Sequence, residues 1–230
     1  MPENMHENHR LRVRERFLKE GLSGFASHQV LELLLFYAIP RKDTNALAHD
    51  LLTRFGSLRR IFESSHEALR SVPGMTDNAT VLLRLLPQLA RRYAMEREPA
   101  HPLILDSRAL RSHLAARYTG VKLEQPLLLC LDSAGRLQST CEFQHGSSNS
   151  AGFDLRFLAE QVLRHNAAAV VLAHNHPGGS TEASAEDVEA TRRAARLLKE
   201  LRVRLCDHVI FADNELTSMA KDRRYAGLFI

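Results

Sequence analysis

An α/β domain in the carboxyl-terminal half, preceded by a small all-α domain, is the fold class this sequence predicts, on three observations. Apolar residues recur at helical spacing through residues 28–92. Residues 96–102, with Pro99 and Pro102 among charged neighbours, interrupt that pattern. Beyond the interruption, short apolar runs of strand character alternate with amphipathic segments, the pattern of a sheet flanked by helices. The expected organisation is a helical domain over residues 1–98 and a second domain over residues 103–230.

The bulk properties agree with two such domains. The chain has 230 residues, 44% hydrophobic and 25% charged, the balance of an ordinary globular protein. Trp is absent and aromatics are 6%, so the cores must be built from Leu, Ala and Val. A net charge of +4 is mild, and a nucleic-acid domain usually concentrates far more positive charge, so charge alone assigns no partner. No apolar run approaches the roughly 18 residues needed to span a bilayer. The first 16 residues are too polar for a secretion signal, and a cytoplasmic location is expected. Cys130, Cys141 and Cys206 are widely spaced and read as reduced, small core residues; no C-x-x-C pair is present, so a metal would need other ligands.

In the first half, breaks at Ile39-Pro40, Phe55-Gly56 and Val72-Pro73-Gly74 divide the helical pattern into short helices. Asp43 or Thr44 is expected to cap the helix carrying Leu47, Leu51 and Leu52, and Asp77 to start a long helix that contains Pro87. In the second half, residues 126–131 and 136–143 form a hairpin around the turn Asp132-Ser133-Ala134-Gly135. Residues 153–165 carry an apolar stripe and predict a helix. Residues 167–173 are continuously apolar, as in a strand buried on both faces. A helix over 184–201 and a strand over 207–211 complete the order β-β-α-β-α-β.

The chemistry concentrates at His174-Asn175-His176-Pro177, followed by a glycine-containing loop and Ser184-Ala185-Glu186-Asp187. Two histidines two residues apart at the end of a strand present their side chains to one side. Pro177 stops the strand, and the loop can return the chain so that Asp187 reaches the same point. Two imidazoles and a carboxylate suit Zn²⁺ and leave a fourth position for water, the arrangement of catalytic rather than structural zinc. Taken singly the parts have plainer meanings: an H-x-H pair is commonly structural, and Ser184 with Asp187 also fits a helix capping box.

Together, however, H-N-H-P and S-x-x-D stand at the spacing of the JAMM (MPN+) metalloprotease motif, and the wider sequence resembles the bacterial RadC (UPF0758) family. The resemblance extends to Leu31-Glu32-Leu33-Leu34-Leu35, Asp43-Thr44-Asn45, Arg54-Phe55-Gly56-Ser57-Leu58 and Asp207-His208-Val209-Ile210. It implies a JAMM/MPN-type mixed sheet flanked by helices, one zinc per chain held by His174, His176 and Asp187, and a catalytic role for Ser184 at a developing oxyanion. JAMM enzymes take their general base from a glutamate on an earlier strand, and the counterpart here looks like Glu142. The implied reaction is hydrolysis of an amide or isopeptide bond in an unidentified peptide or protein. His208, at the start of an apolar strand, reads as a hydrogen-bonded core residue. The loop after Pro177 departs from the family's S-G-D-P-T-P-S at Gly178, Ser180, Thr181 and Ala183, and the lost prolines predict a less preorganised Asp187.

Residues 72–79 look like the turn of a helix-hairpin-helix, a module that holds the DNA backbone through loop amides. Thr76 stands where the module's second glycine would admit a phosphate or take positive φ. Weak DNA binding by the first domain is one expectation, and a purely structural turn is the other. The family name carries a DNA-repair connotation. The alternative to an enzyme is a DNA-associated binding protein whose zinc site is structural or vestigial.

Overall fold

The computed structural model describes residues 5–40, 42–143, 153–177 and 179–229, and the chain divides into two compact units, Met1–Ala90 and Arg91–Ile230. The first unit is helical: α1 (Met5–Glu20), α2 (Ser27–Ala38), α3 (Asn45–Phe55), α4 (Leu58–Phe62), α5 (His66–Arg70) and the larger part of α6 (Asp77–Glu96). Its core is aliphatic, with Leu31, Leu35, Leu51, Ile61, Leu69 and Leu83 completely buried. Burying each such side chain contributes about 1.5–3 kcal/mol, so this cluster rather than helix propensity holds the short helices in place.

Local hydrogen bonds set the helix ends. Ser57 accepts from the Arg60 amide and Ser65 from the Ala68 amide, while Gly56 closes α3 with φ of 82°. Of the two expected caps, one holds and one differs. Thr44 is the residue before α3 but makes no side-chain cap; Asp43 Oδ1 instead accepts from the Asn45 amide at 2.9 Å. At the start of α6 the Thr76 hydroxyl takes the Ala79 amide at 3.1 Å, because Asp77 is turned outward to Arg70 at 2.8 Å. Thr76 is not among the residues with positive φ, whereas Gly74 is, at 90°. The residue at the position of the missing glycine therefore serves as a cap here. α1 lies in a stretch too polar to show a helical stripe.

The second unit is a five-stranded mixed sheet of order β2-β1-β3-β4-β5, built from β1 (Leu127–Leu131), β2 (Leu137–Glu142), β3 (Ala169–Asn175), β4 (Arg204–Ala212) and β5 (Glu215–Ser218). Only β3 and β4 pair in parallel, connected through α9 (Ala185–Glu200). One face packs on α8 (Leu155–Arg164) and α9, through Leu128, Val170, Leu172, Leu158, Ala194 and Leu198. The other packs on α7 (Ser107–Tyr118), through Leu127, Leu129, Val171, Ala173, Leu110 and Leu114. β3 is buried at every residue, as its uninterrupted apolar run requires. α7 and β5 are additions to the sequence-based order; α7 has few apolar positions and β5 is only four residues long.

The parallel pairing of β3 with β4 contains a bulge. Val170 pairs with Leu205, but Val171 pairs with Asp207, so Cys206 is the extra residue. An extra residue reverses strand parity. Leu205 and His208 consequently face the same side of the sheet, the side of α8 and α9, and His208 reaches the end of β3.

A buried ionisable group ties α7 to the sheet. His113 is 1% exposed, with Nε2 2.9 Å from Thr140 Oγ1 and Nδ1 3.1 Å from Glu98, which also pairs with Arg117 at 2.7 Å. Burial, aided by the Arg117 charge, lowers the His113 pKa below its ordinary 6.5 despite Glu98. A lowered folded-state pKa means that the unfolded chain binds the extra proton, so this contribution to stability is complete above pH 6.5 and is lost as pH falls below it. Urea unfolding should therefore give a lower midpoint at pH 5.5 than at pH 7.5, and His113→Gln should shrink that difference. An unchanged difference would show that His113 does not contribute.

Candidate metal centre

The end of β3 carries the site. His174 is 2% exposed and lies on the α8/α9 face with Leu172 and Val170. His176 follows immediately after the strand, its amide still donating to Phe211 O at 2.9 Å. The two Nε2 atoms are 2.9 Å apart. Asp187, in the first turn of α9, brings Oδ1 to 3.2 Å from His174 Nε2 and Oδ2 to 3.6 Å from His176 Nε2. Bonds of 2.0–2.1 Å to a tetrahedral ion place ligand atoms about 3.3 Å apart, so the three observed separations bracket that geometry. The donor set also fits: His176 Nδ1 lies 2.8 Å from Ser180 O, which can only accept, so Nδ1 carries a hydrogen and Nε2 is the nitrogen turned towards a metal.

Asp187 is held by a full capping box. Its Oδ2 accepts from the Ser184 amide and hydroxyl, each at 2.8 Å, and its own amide donates to Ser184 Oγ at 3.1 Å. Burial alone would raise this carboxyl, but the groups that hydrogen-bond it, the Ser184 amide and hydroxyl among them, outweigh it and hold the pKa far below the ordinary carboxylate value. The loop without the family prolines thus still delivers a fixed, ionised Asp187. Gly179 turns it with φ of 86°, and Gly178 lies outside the described residues.

Behind His174 sits His208, fully buried, with Nε2 2.8 Å from His174 Nδ1. Its Nδ1 is 2.6 Å from Thr191 Oγ1. Burial, with the neighbouring His174 imidazole, lowers the His208 pKa to about 3. It is a core residue behind the site, as its place in an apolar strand suggested.

Glu142, the general base that the family resemblance implied, is not the carboxylate beside the histidines; Glu124, which the sequence did not single out, is. Glu142 is in register with Leu127, which pairs with Ala173. Those side chains belong to the α7 face, one residue out of phase with His174, so strand alternation turns Glu142 away from the histidines. Its carboxylate accepts from Gln125 Nε2 at 2.7 Å and faces Arg91 at 3.5 Å. Glu124, in contrast, completes a cluster with His174, His176 and Asp187 whose candidate ligand atoms all lie within 4.8 Å of one another. Its Oε1 is 4.0 Å from His174 Nε2, farther than the other donors, and its side chain is 55% exposed.

Glu124 owes this position to Asn175. The side chain between the two histidines is buried and clamps the chain on both sides of Glu124, donating to Leu123 O at 3.1 Å and accepting from the Gln125 amide at 2.8 Å. The Tyr118 hydroxyl holds Gln125 O at 3.1 Å. Continuing the antiparallel register of Leu127 with Ala173 by three residues sets Glu124 opposite His176. Nothing local marks Glu124 in the sequence, since it precedes its strand in a polar stretch; only the pairing of β1 with β3 reveals it. Glu124, Phe153, His174, His176, Ser184 and Asp187 surround an open cleft of about 260 Å³.

A histidine pair and a helix-capping aspartate thus close on one point at the end of the central strand of a mixed sheet, with a carboxylate beside them. Residues 104–225 match the model of the RadC-like JAB domain. The chain belongs to the RadC (UPF0758) family. Among its relatives, a UPF0758 protein of Fusobacterium nucleatum is 30% identical over 96% of this chain and 99% of its own length. UPF0758 proteins of Cupriavidus taiwanensis and Bordetella bronchiseptica are 36% and 35% identical over 94% and 90% of this chain. Both halves of this RadC-family chain are therefore shared with its relatives. Among the described residues no helix is long and apolar enough to cross a membrane.

Proposed function

We propose that the second unit is a zinc-dependent hydrolase of the JAMM type, acting on an amide or isopeptide bond of a peptide or protein. The observation that carries this reading is the convergence of His174 Nε2, His176 Nε2 and Asp187 within 2.9–3.6 Å, with the Glu124 carboxylate beside them. Zinc in a three-ligand protein site supplies Lewis acidity, which acidifies water to a pKa near 7 and polarises a carbonyl. Around it the chain's own groups divide the work. Glu124, at the mouth of the cleft, takes a proton from the attacking water and returns it to the leaving nitrogen. Asp187 and His176 are fixed by Ser184 and by the Ser180 carbonyl, so the geometry is set before substrate arrives. Ser184 lines the cleft, and its hydroxyl reaches a substrate oxyanion by giving up its bond to Asp187.

One observation favours a second reading. Four candidate donors lie within 4.8 Å, so movement of Glu124 towards the histidines would close the coordination sphere and make the site structural. The present separation of 4.0 Å, against about 3.3 Å for a ligand pair, supports the open form. The test is a panel of peptides and isopeptide-linked conjugates incubated with the full chain. Cleavage that stops on chelation and returns with zinc is the expected result; a stoichiometrically zinc-loaded chain that cleaves none of them would favour the closed, structural site.

A further inference from the structure

Behind the ligands runs a line of buried hydrogen bonds that the reaction itself does not use. Thr191 Oγ1 lies 2.6 Å from Asp187 O, one helical turn earlier on α9, and 2.6 Å from His208 Nδ1. His208 Nε2 lies 2.8 Å from His174 Nδ1. His174, Thr191 and His208 are at most 2% exposed, so water is not available to complete any of these bonds.

The directions follow from what each atom can do. A carbonyl only accepts, so the Thr191 hydroxyl gives its hydrogen to Asp187 O. Its oxygen then faces His208 Nδ1 as an acceptor, and Nδ1 must carry a hydrogen. Complete burial favours the neutral imidazole, so His208 Nε2 is bare and accepts from His174 Nδ1. The hydrogen of His174 is thereby placed on Nδ1, and Nε2, the atom 3.2 Å from Asp187 Oδ1, keeps its lone pair.

We infer that Thr191 and His208 are positioning residues that lock His174 in the Nδ1–H tautomer, the form that can ligate a metal through Nε2. The inference rests on the proposed metal site for its purpose, though the tautomer exists without a metal. Two features of the fold serve it. The β4 bulge at Cys206 turns His208 to the α8/α9 face, and α9 carries Asp187 and Thr191 one turn apart, so the third ligand's own carbonyl orients the first ligand. A hydrogen-bond acceptor on the remote nitrogen of a ligating histidine fixes ring orientation and raises its basicity, and removing such a partner commonly costs about 10–100-fold in metal affinity.

The test uses the full ¹⁵N-labelled chain, metal-free at neutral pH, and long-range ¹H–¹⁵N spectra of its histidines, with zinc affinity measured by chelator competition. In the wild type, His174 should show the Nδ1–H tautomer. Thr191→Val preserves shape but removes the hydroxyl, and should leave His174 as a tautomer mixture with zinc bound about 10–100-fold more weakly. Thr191→Ser should restore both properties. His208→Gln, whose side-chain oxygen can accept from His174 Nδ1, should bind zinc more tightly than His208→Leu. Protonation of His174 at Nε2 in the wild type, or unchanged zinc affinity in a folded Thr191→Val, would overturn the inference. An Nδ1–H tautomer in a chain that binds no zinc would support the relay while refuting the metal site.

Discussion

Glu124→Gln is expected to lower the rate of any zinc-dependent hydrolysis by about 10²–10⁴-fold, the usual consequence of removing a general base, with one zinc still bound. Glutamine keeps the shape and the hydrogen-bonding oxygen of Glu124 but cannot accept a proton. Glu142→Gln is the contrasting variant. Its carboxylate lies on the other face of the sheet, engaged with Gln125 and Arg91, so its loss should alter the rate only through small shifts in the Gln125 segment. A slow Glu142→Gln beside an active Glu124→Gln would reverse the two assignments, and equal loss in both would indicate that the segment joining them acts as a unit. The readout is kcat/KM on whichever substrate the peptide panel yields.

His174→Ala and His176→Ala are each expected to abolish zinc binding, because two remaining ligands cannot hold a tetrahedral ion in competition with water. Asp187→Ala carries a second cost. It removes the capping box at the start of α9 as well as a ligand, and loss of such a cap destabilises by about 1 kcal/mol. Its melting temperature should fall, whereas His176→Ala, at the rim of the cleft, should leave metal-free stability nearly unchanged. Metal analysis of the purified variants decides the matter, and full zinc content in either histidine variant would remove that residue from the ligand set.

What the sequence could reveal depended on the range of the interaction. The apolar run of β3, the turn at residues 132–135 and the S-x-x-D start of α9 are local patterns, and each element formed within a few residues of its expected position. The closure of His174, His176 and Asp187 was legible too, because strand alternation and a short loop nearly force it. Caps were only partly so: spacing left Asp43 and Thr44 as alternatives, of which Asp43 takes the Asn45 amide, and Thr76 displaced Asp77 for a reason of side-chain direction that spacing does not encode. Glu124 was invisible because its role depends on β1 lying against β3 and on the Asn175 clamp, both set by residues about 50 positions away. Glu142 was the attractive choice for the opposite reason, since it sits on a recognisable strand, but strand parity relative to β3 cannot be known before the register is. The β4 bulge that turns His208 inward is likewise a two-strand property.

The most direct measurement is a crystal structure of the zinc-loaded chain with anomalous diffraction collected at the zinc edge. One anomalous peak per chain is expected, within about 2.0–2.2 Å of His174 Nε2, His176 Nε2 and an Asp187 oxygen, with Glu124 outside the coordination sphere and within hydrogen-bonding reach of the fourth position. No peak between these residues, or a peak bound directly by Glu124 as the fourth protein ligand, would contradict an open catalytic site.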